Sequence, residues 1–506
     1  MIRPRRVLDV LGVGLAFLFS TPTLGYPVSR DHALFYYIGR GWLHGALPYR
    51  DAYDFKPPGI FALNALGIAI FGEHQWAIRL LEVLSLPLMA WLVVLAVERD
   101  EPRRDGELGA VTLIIAGFYY TLFNYWDTAQ TEFFESLALV ASFVVAVRVQ
   151  RVRHAALWSG ALVGAAILFK FPAPVVGIIS TCVVATRAYR SAPSRPVLEG
   201  AIATGLHGVG AILVLAVVVV YFALRGGLSA MVDMLFWHLW DYHAHSTSLP
   251  GEMAESLKGY FASSPWHPVV LAGFVAAVLA ARRRGARGVV RGALVATTLF
   301  GASVGTVVVQ RRYLPYYWGV TVPFVGLLAA YGVASLARVR GYLALTAALA
   351  ASILGFSVTP RWPLSYKAAT ARFYRYGRGE LSRWEYLEPF RGPFDYSYRD
   401  EEALGTLIRE RASPGDLLHV RGYEPAVYVV SGLRSPSRFA TEIPLFLPNL
   451  TYKRAEWRAE NDRAIWAARP RFFVTFSFNP DDMLAIVGHG YHEQARQGPL
   501  VLLERD

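Results

Sequence analysis

The sequence predicts a polytopic, all-α membrane protein of about eleven transmembrane helices plus interfacial helices, followed by an extracytoplasmic C-terminal α/β domain. Three observations predict this. The 506 residues are 54% hydrophobic and only 17% charged, with a mean hydropathy of +0.34, a balance that a soluble chain of this length does not keep. Apolar runs of membrane-spanning length recur up to residue 358, separated by short basic clusters. From Thr359 onward the apolar runs shorten to strand length and amphipathic helical periodicity replaces them.

The charge supports the same division. A net +12 is the kind of excess that nucleic-acid binders carry, but its distribution excludes that partner. Residues 359–506 hold 21 Lys+Arg against 19 Asp+Glu, leaving 29 against 19 in residues 1–358. There the excess gathers at Arg3 to Arg6, Arg103 with Arg104, Arg148 to Arg153, Arg187 to Arg195, Arg282 to Arg291, and Arg338 with Arg340. Short basic loops between apolar runs are the positive-inside signature of the cytoplasmic side.

With those clusters inside, spans fall near 7–24, 76–97, 107–124, 132–149, 154–169, 173–187, 198–224, 264–281, 292–309, 315–337 and 341–358. Counts of twelve or thirteen remain open. Eleven places the N-terminus in the cytoplasm and the tail from Thr359 outside. The first run is basic then apolar, like a signal peptide, but no small-residue cleavage site follows it, so it reads as a retained first helix. Pro57 to Phe71 is too short and interrupted to span comfortably and reads as an interfacial helix. Asp31 to Leu43 has apolar residues at helical spacing with polar ones between, again the pattern of a helix lying in the membrane surface. The first outside loop, residues 25–75, is therefore long and structured. In the tail, Leu417 to Val420, Phe472 to Phe476 and Val501 to Leu503 read as strands, and Asp400 to Arg411 and Tyr452 to Ala468 as helices. Pro and Gly punctuation around Trp362 to Pro393 argues for an irregular linker. The expected domains are thus 1–358 and 359–506.

Outside loops carry little positive charge by rule, so cations there ask for an anionic partner. Lys56, Lys170 and the pair Arg311 and Arg312 all fall on the outer face, at the depth of a lipid phosphate or pyrophosphate. Headgroup anchoring and snorkelling compete with this, and account better for Lys170 than for the arginines. Carboxylates collect on the same face: Asp31, Asp51 and Asp54 in the first loop, and Asp127, Glu132 and Glu135 around the second. A carboxylate can take a proton from an acceptor hydroxyl while cations stabilise a departing phosphate. Helix N-termini favour acids in any case, which accounts equally for Glu132 and better for Glu135. His238, His243 and His245 with Asp241 could be a zinc site, but their spacing fits no standard one, and interfacial packing explains them better. Arg79 and Glu82, three apart on one helix, read as a structural ion pair. The single cysteine, Cys182, lies in an apolar run, so neither a disulfide framework nor a thiolate metal site is expected.

The run Asp31-His32-Ala33, Gly45-Ala46-Leu47-Pro48-Tyr49, Asp51, Asp54, Lys56-Pro57-Pro58-Gly59 and Trp76-Ala77-Ile78-Arg79-Leu80 resembles, in order and spacing, the bacterial GT-C glycosyltransferases. Within them it is similar to the branch of aminoarabinose transferases and protein O-mannosyltransferases. The resemblance continues through Thr131-Glu132, Lys170 and Arg312-Tyr313-Leu314-Pro315, and so covers most of residues 1–337. Gly422-Tyr423-Glu424-Pro425 and Ser437-Arg438-Phe439 look like the outer domain of related bacterial members. The resemblance implies an inverting transferase of the bacterial cytoplasmic membrane. Its donor would be a polyprenyl-phosphate hexose or pentose, and its acceptor a lipid, a polysaccharide or a protein. It implies Asp31 as base or acceptor-orienting group and Glu132 as the second acid, where an Asp is usual. It implies Lys56 at the carrier phosphate, with Asp54, Lys170, Arg311, Arg312 and Tyr313 as further substrate contacts. His32 stands where a second acid often follows the first, so no obligatory metal or other cofactor is expected. A lipid-linked sugar transporter and a noncatalytic assembly protein for envelope glycans are the alternatives from other classes. Charges crowded at one face, without internal repeats, speak against the transporter.

Overall fold

The computed structural model describes residues 6–97, 103–245, 250–262, 264–358, 364–392, 396–446 and 450–505. Most of the N-terminal basic cluster and the junction at Thr359 lie outside the described residues. The chain forms two compact units. One comprises Met1–Gly25, Arg79–Val218 and Ser248–Ala371, the other Tyr26–Ile78, Val219–Thr247 and Arg372–Asp506. The division expected at residue 358 follows hydropathy. The compact units follow packing, which draws the first loop and the segment after the seventh apolar run into one body with the tail.

In the first unit a helix lies on each predicted span that it contains. Among the described residues, five helices of the chain are long and apolar enough to cross a membrane: Val7–Gly25, Ala77–Ala96, Pro196–Leu224, Arg287–Val309 and Pro315–Val339. The others are shorter or carry charge at their ends: Thr131–Arg148 holds Glu132, Glu135 and Arg148, and Pro174–Ser191 holds Arg187 and Arg190. The Glu107–Leu122 helix is central, packing against Val7–Ser20, Val322–Val339 and Gly341–Ser357. A Cβ on Gly12 would lie 2.5 Å from the Cα of Gly109, so this crossing requires glycine. Asp9 fastens the same crossing, its Oδ1 accepting the N–H groups of Gly106, Leu108 and Gly109 at 2.9–3.2 Å. A carboxylate there satisfies helix-end donors that lipid could not. Thr131–Arg148, Val152–Ile167 and Pro174–Ser191 form a second cluster around Ala146, Ala155, Ala156 and Val184.

The second unit contains the two predicted loop helices, at Arg30–Leu43 and Gly59–Phe71. Its sheet has the order β1-β2-β4-β3, from Leu418–Val420 (β1), Phe472–Phe476 (β2), Tyr491–Gln497 (β3) and Leu500–Arg505 (β4). β1 runs parallel to β2, and the other pairings are antiparallel. β2 and β4 are central, and their continuous apolar runs are buried. β3, of sequence YHEQARQ, is a polar edge strand and was not expected, because nothing in it alternates cleanly. Tyr398–Arg411 and Arg454–Ala468 match the two predicted tail helices.

The expected irregular linker is a correction. Tyr366–Gly377 and Arg383–Leu387 are helical, although residues 362, 363 and 393 lie outside the described residues. The missed signal is a capping box, in which Ser382 accepts from the Glu385 N–H and the Glu385 carboxylate accepts from Ser382 N.

Candidate active site

In the second unit the Arg30–Leu43 helix carries Asp31 in its first turn. Pro57 and Pro58 keep the preceding chain extended and start the next helix at Gly59, which leaves Lys56 at the junction. Lys56 Nζ lies 3.4 Å from Asp31 Oδ2, and the Tyr423 hydroxyl donates to Asp31 Oδ1 at 2.5 Å. The two charged side chains are only 13% (Asp31) and 14% (Lys56) exposed. Burial pushes the Asp31 carboxyl up, but the ammonium of Lys56 and the Tyr423 hydrogen bond outweigh it and hold the group below the ordinary carboxylate value. Lys56 Nζ also sits 4.6 Å from the centre of the Phe35 ring.

Asp54 behaves oppositely. Its Oδ1 accepts the backbone N–H groups of Phe55 (2.6 Å) and Lys56 (3.1 Å), while Oδ2 is buried without a hydrogen-bond partner. Burial raises its pKa; Lys56 opposes the rise and Asp31 adds to it. Neighbouring carboxyls whose pKa values are driven apart are the arrangement that separates an acid from a base. Asp51, the third carboxylate of this loop, instead pairs with Arg50 at 2.7 Å and accepts from Leu47 N.

Tyr423 is a side chain at Asp31 that the candidate residues read from the sequence did not include. It follows Gly422, whose φ is +135° and on which a Cβ would lie 2.5 Å from the Phe476 ring, so only glycine fits. Glu424 then fixes the segment, accepting from Tyr423 N at 2.7 Å and from the Arg30 guanidinium at 2.5 Å. Arg30 in turn lies 5.1 Å from the Tyr396 ring and 5.7 Å from the Tyr423 ring. The sequence signal was the Gly422-Tyr423-Glu424-Pro425 run, whose contact with residue 31 no local pattern discloses.

The first unit holds the other predicted residues. Glu132, fully buried at the start of Thr131–Arg148, pairs through Oε1 with Lys170 and accepts from the Thr131 hydroxyl at 2.7 Å through Oε2. Lys170 Nζ lies 3.4 Å from the centre of the Tyr317 ring. Arg311, exposed at φ 50°, Arg312 and Tyr313 lead into the Pro315–Thr321 turn, where a Cβ on Gly319 would stand 3.3 Å from that of Glu132. Burial lowers the pKa of Arg312, with Tyr317 and Tyr316 opposing.

The loop before Glu132 is held by Arg79, which donates to the Thr128 hydroxyl (2.5 Å) and to the Tyr125 carbonyl (2.6 Å). Glu82 accepts from the Tyr119 hydroxyl at 2.6 Å and from Ala129 N. Arg79 and Glu82, 4.0 Å apart, thus form the structural pair expected and also set the loop.

Of the three histidines His238 is buried by packing, while His243 and His245 are exposed and His245 lies 3.2 Å from Asp241. The His238 ring lies against Tyr53, Phe55 and Trp457 and meets the Tyr53 hydroxyl at 2.6 Å, and burial takes its pKa down to about 4. Asp241 accepts from Thr451 N, the Thr451 hydroxyl and Tyr452 N. Among the described residues no group of three His, Cys, Asp or Glu could hold a metal ion.

A largely helical chain with membrane-length apolar helices, a small sheet and buried acid–lysine pairs resembles the GT-C membrane glycosyltransferases, in the branch already indicated by the first loop. The family of dolichyl-phosphate-mannose-protein mannosyltransferases matches residues 55–222, a stretch that includes Lys56, Glu132 and Lys170. The whole chain has the fold of ArnT from Cupriavidus metallidurans bound to undecaprenyl phosphate. The TM-score is 0.62 over 98% of this chain and 97% of that one, at 15% identity. ArnT in the apo state gives the same values. The archaeal oligosaccharyltransferase AglB from Archaeoglobus fulgidus, in complex with an inhibitory peptide and a dolichol-phosphate, covers 94% of this chain and 70% of its own at 9% identity, with a TM-score of 0.45. No curated protein matches the chain in sequence.

Proposed function

We propose that the protein is an inverting glycosyltransferase of the bacterial cytoplasmic membrane that works on the extracytoplasmic face. It would move a hexosyl or pentosyl group from a polyprenyl-phosphate carrier to a lipid, polysaccharide or protein acceptor. The observation that carries the reading is Asp31: a buried carboxylate kept anionic by Lys56 and Tyr423, as a base needs to be. Asp31 takes the proton of the acceptor hydroxyl, and the freed oxygen attacks the anomeric carbon from the side away from the phosphate. The bond from that carbon to the phosphate oxygen breaks, polyprenyl phosphate departs with the bond electrons, and the proton later leaves Asp31 for solvent. Lys56, 3.4 Å from the carboxylate, is the cation that would stabilise the leaving phosphate. Asp54 positions Lys56 through the turn it closes. Glu132 with Lys170 forms the second acid–cation pair, and Arg311, Arg312 and Tyr313 serve the donor headgroup. Undecaprenyl phosphate bound in ArnT, and the dolichyl-phosphate donor in the name of the matching family, support the choice of carrier. In this topology the N-terminus is cytoplasmic and the tail outside.

The test is incubation of the full-length protein in lipid nanodiscs with a panel of polyprenyl-phosphate sugars. Release of polyprenyl phosphate that disappears in Asp31→Asn is expected. Absence of both binding and turnover across the whole panel overturns the assignment.

A further inference from the structure

The second unit contains a cavity of about 1150 Å³ that the proposed chemistry does not use. It exceeds the roughly 300–1,000 Å³ of ordinary small-molecule sites. One wall is the C-terminal half of the Arg30–Leu43 helix with the loop after it; the other comes from residues 415–417, 432–438 and the Arg454–Ala468 helix. Asp31 stands at the opposite end of the first wall. At 1.5 Å of rise per residue, the cavity begins about 9 Å along the helix from Asp31, at Tyr37, and continues to about 18 Å, at the helix end.

Its lining mixes polar and apolar surface, and its charges balance, four arginines against four carboxylates. Arg50 grips Asp51 with two hydrogen bonds (2.9 and 2.7 Å), and Arg438 grips Glu460 with two more (2.7 and 2.8 Å). Arg40 lies 4.0 Å from Glu73 and spends its donors on the carbonyls of Tyr428 and Leu433. An anion drawn to Arg40, Arg50 or Arg438 would have to pull these guanidinium groups off their carboxylates, at a cost that its own attraction only repays, which leaves the exposed Arg434 as the cation open to it. A neutral polyhydroxyl ligand has no such conflict, since each ion pair keeps acceptor lone pairs and N–H edges free for hydroxyls.

Resting on the transferase reading above, we infer that this cavity is an extended binding site for a neutral oligosaccharide. It would be the already polymerised part of the acceptor, whose terminal sugar reaches Asp31. The acceptor class is thereby a growing glycan. The chain must supply several sugar units to bridge from the cavity to the carboxylate, so a monosaccharide or disaccharide should gain little from the site.

The experiment measures binding of the full-length protein in nanodiscs, without donor, to neutral linear gluco-, manno-, galacto- and arabino-oligosaccharides of one to six units. A hexuronic acid oligomer and inorganic pyrophosphate are the charged comparisons. For at least one neutral series the expected result is affinity that climbs tenfold or more between two and five units. Glu460→Gln, which keeps shape but breaks the Arg438 pair, and Arg434→Ala, an exposed lining residue, should each weaken the longest ligand at least fivefold. Flat length dependence, no binding by any neutral series, tighter binding of a charged probe, or indifference to both variants overturns the inference. Asp31→Asn, which leaves the cavity lining untouched, should keep the climb in affinity with length. Lost turnover with retained binding therefore concerns the transferase chemistry, whereas lost binding with retained turnover defeats the cavity assignment alone.

Discussion

Asp31 illustrates how a side chain is made useful by what surrounds it rather than by its type. A carboxyl this buried would ordinarily be driven toward its neutral form, and it is Lys56 and Tyr423 that prevent it. Replacing Asp31 by Asn should lower turnover about 10²- to 10⁴-fold, the usual worth of a general base, with donor affinity within a factor of a few in a binding assay. Tyr423→Phe removes a hydrogen bond that stabilises the charged form, so the Asp31 pKa rises. A base works above its pKa; the acid limb of the pH–rate profile should therefore move to higher pH, with the rate at high pH changed less. A profile that stays in place would mean that the tyrosine only packs. The hydroxyl of Tyr423 is itself held well above its ordinary pKa, chiefly by burial, and stays a donor across that range.

At the scale of elements, short segments are closed by buried polar groups. The turn into the Gly59–Phe71 helix depends on Asp54 Oδ1, while Oδ2 makes no bond. An amide supplies the same acceptor at one oxygen without a buried charge. Asp54→Asn should accordingly leave thermal unfolding nearly unchanged, and Asp54→Ala should cost about 1–3 kcal/mol by stranding two N–H groups. The loop before Glu132 depends on Glu82, whose loss takes the carboxylate acceptor from the Tyr119 hydroxyl and Ala129 N and the counter-charge from Arg79. Glu82→Ala should destabilise the protein by about 3–5 kcal/mol, the penalty for breaking a buried pair, seen as a lowered midpoint in thermal unfolding. An unchanged midpoint would show that water enters and replaces the carboxylate.

For the whole molecule the proposed sidedness can be checked with its single cysteine removed. In a Cys182→Ser background, Ser413→Cys in the tail should react with a membrane-impermeant maleimide on intact spheroplasts. Arg284→Cys, in a basic loop, should react only after permeabilisation. Labelling of the reverse pattern would invert the topology and remove Asp31 from the outer face.

Hydropathy and charge made the helices legible, because a chain that must satisfy its backbone within lipid has few options and states them in long apolar runs. Asp31, Lys56, Glu132 and Lys170 were legible for a related reason, being charges without a topological purpose. The polar edge strand Tyr491–Gln497 and the helices after Tyr366 were not, since neither presents a clean period and both are held by their neighbours. Hydropathy and charge were enough for the membrane class and most helix positions, and they put the acids and lysines on one predicted face without pairing them; the Asp31–Lys56 and Glu132–Lys170 pairs emerge only in the folded chain. Only the tertiary structure decided that Tyr423 donates to Asp31, that Tyr317 lies beneath Lys170, and that Asp31 and Asp54 are pushed to opposite protonation tendencies. The reason is physical: burial and long-range neighbours set those properties, and Tyr423 meets a residue 392 positions away in the chain, a separation at which no local pattern carries information.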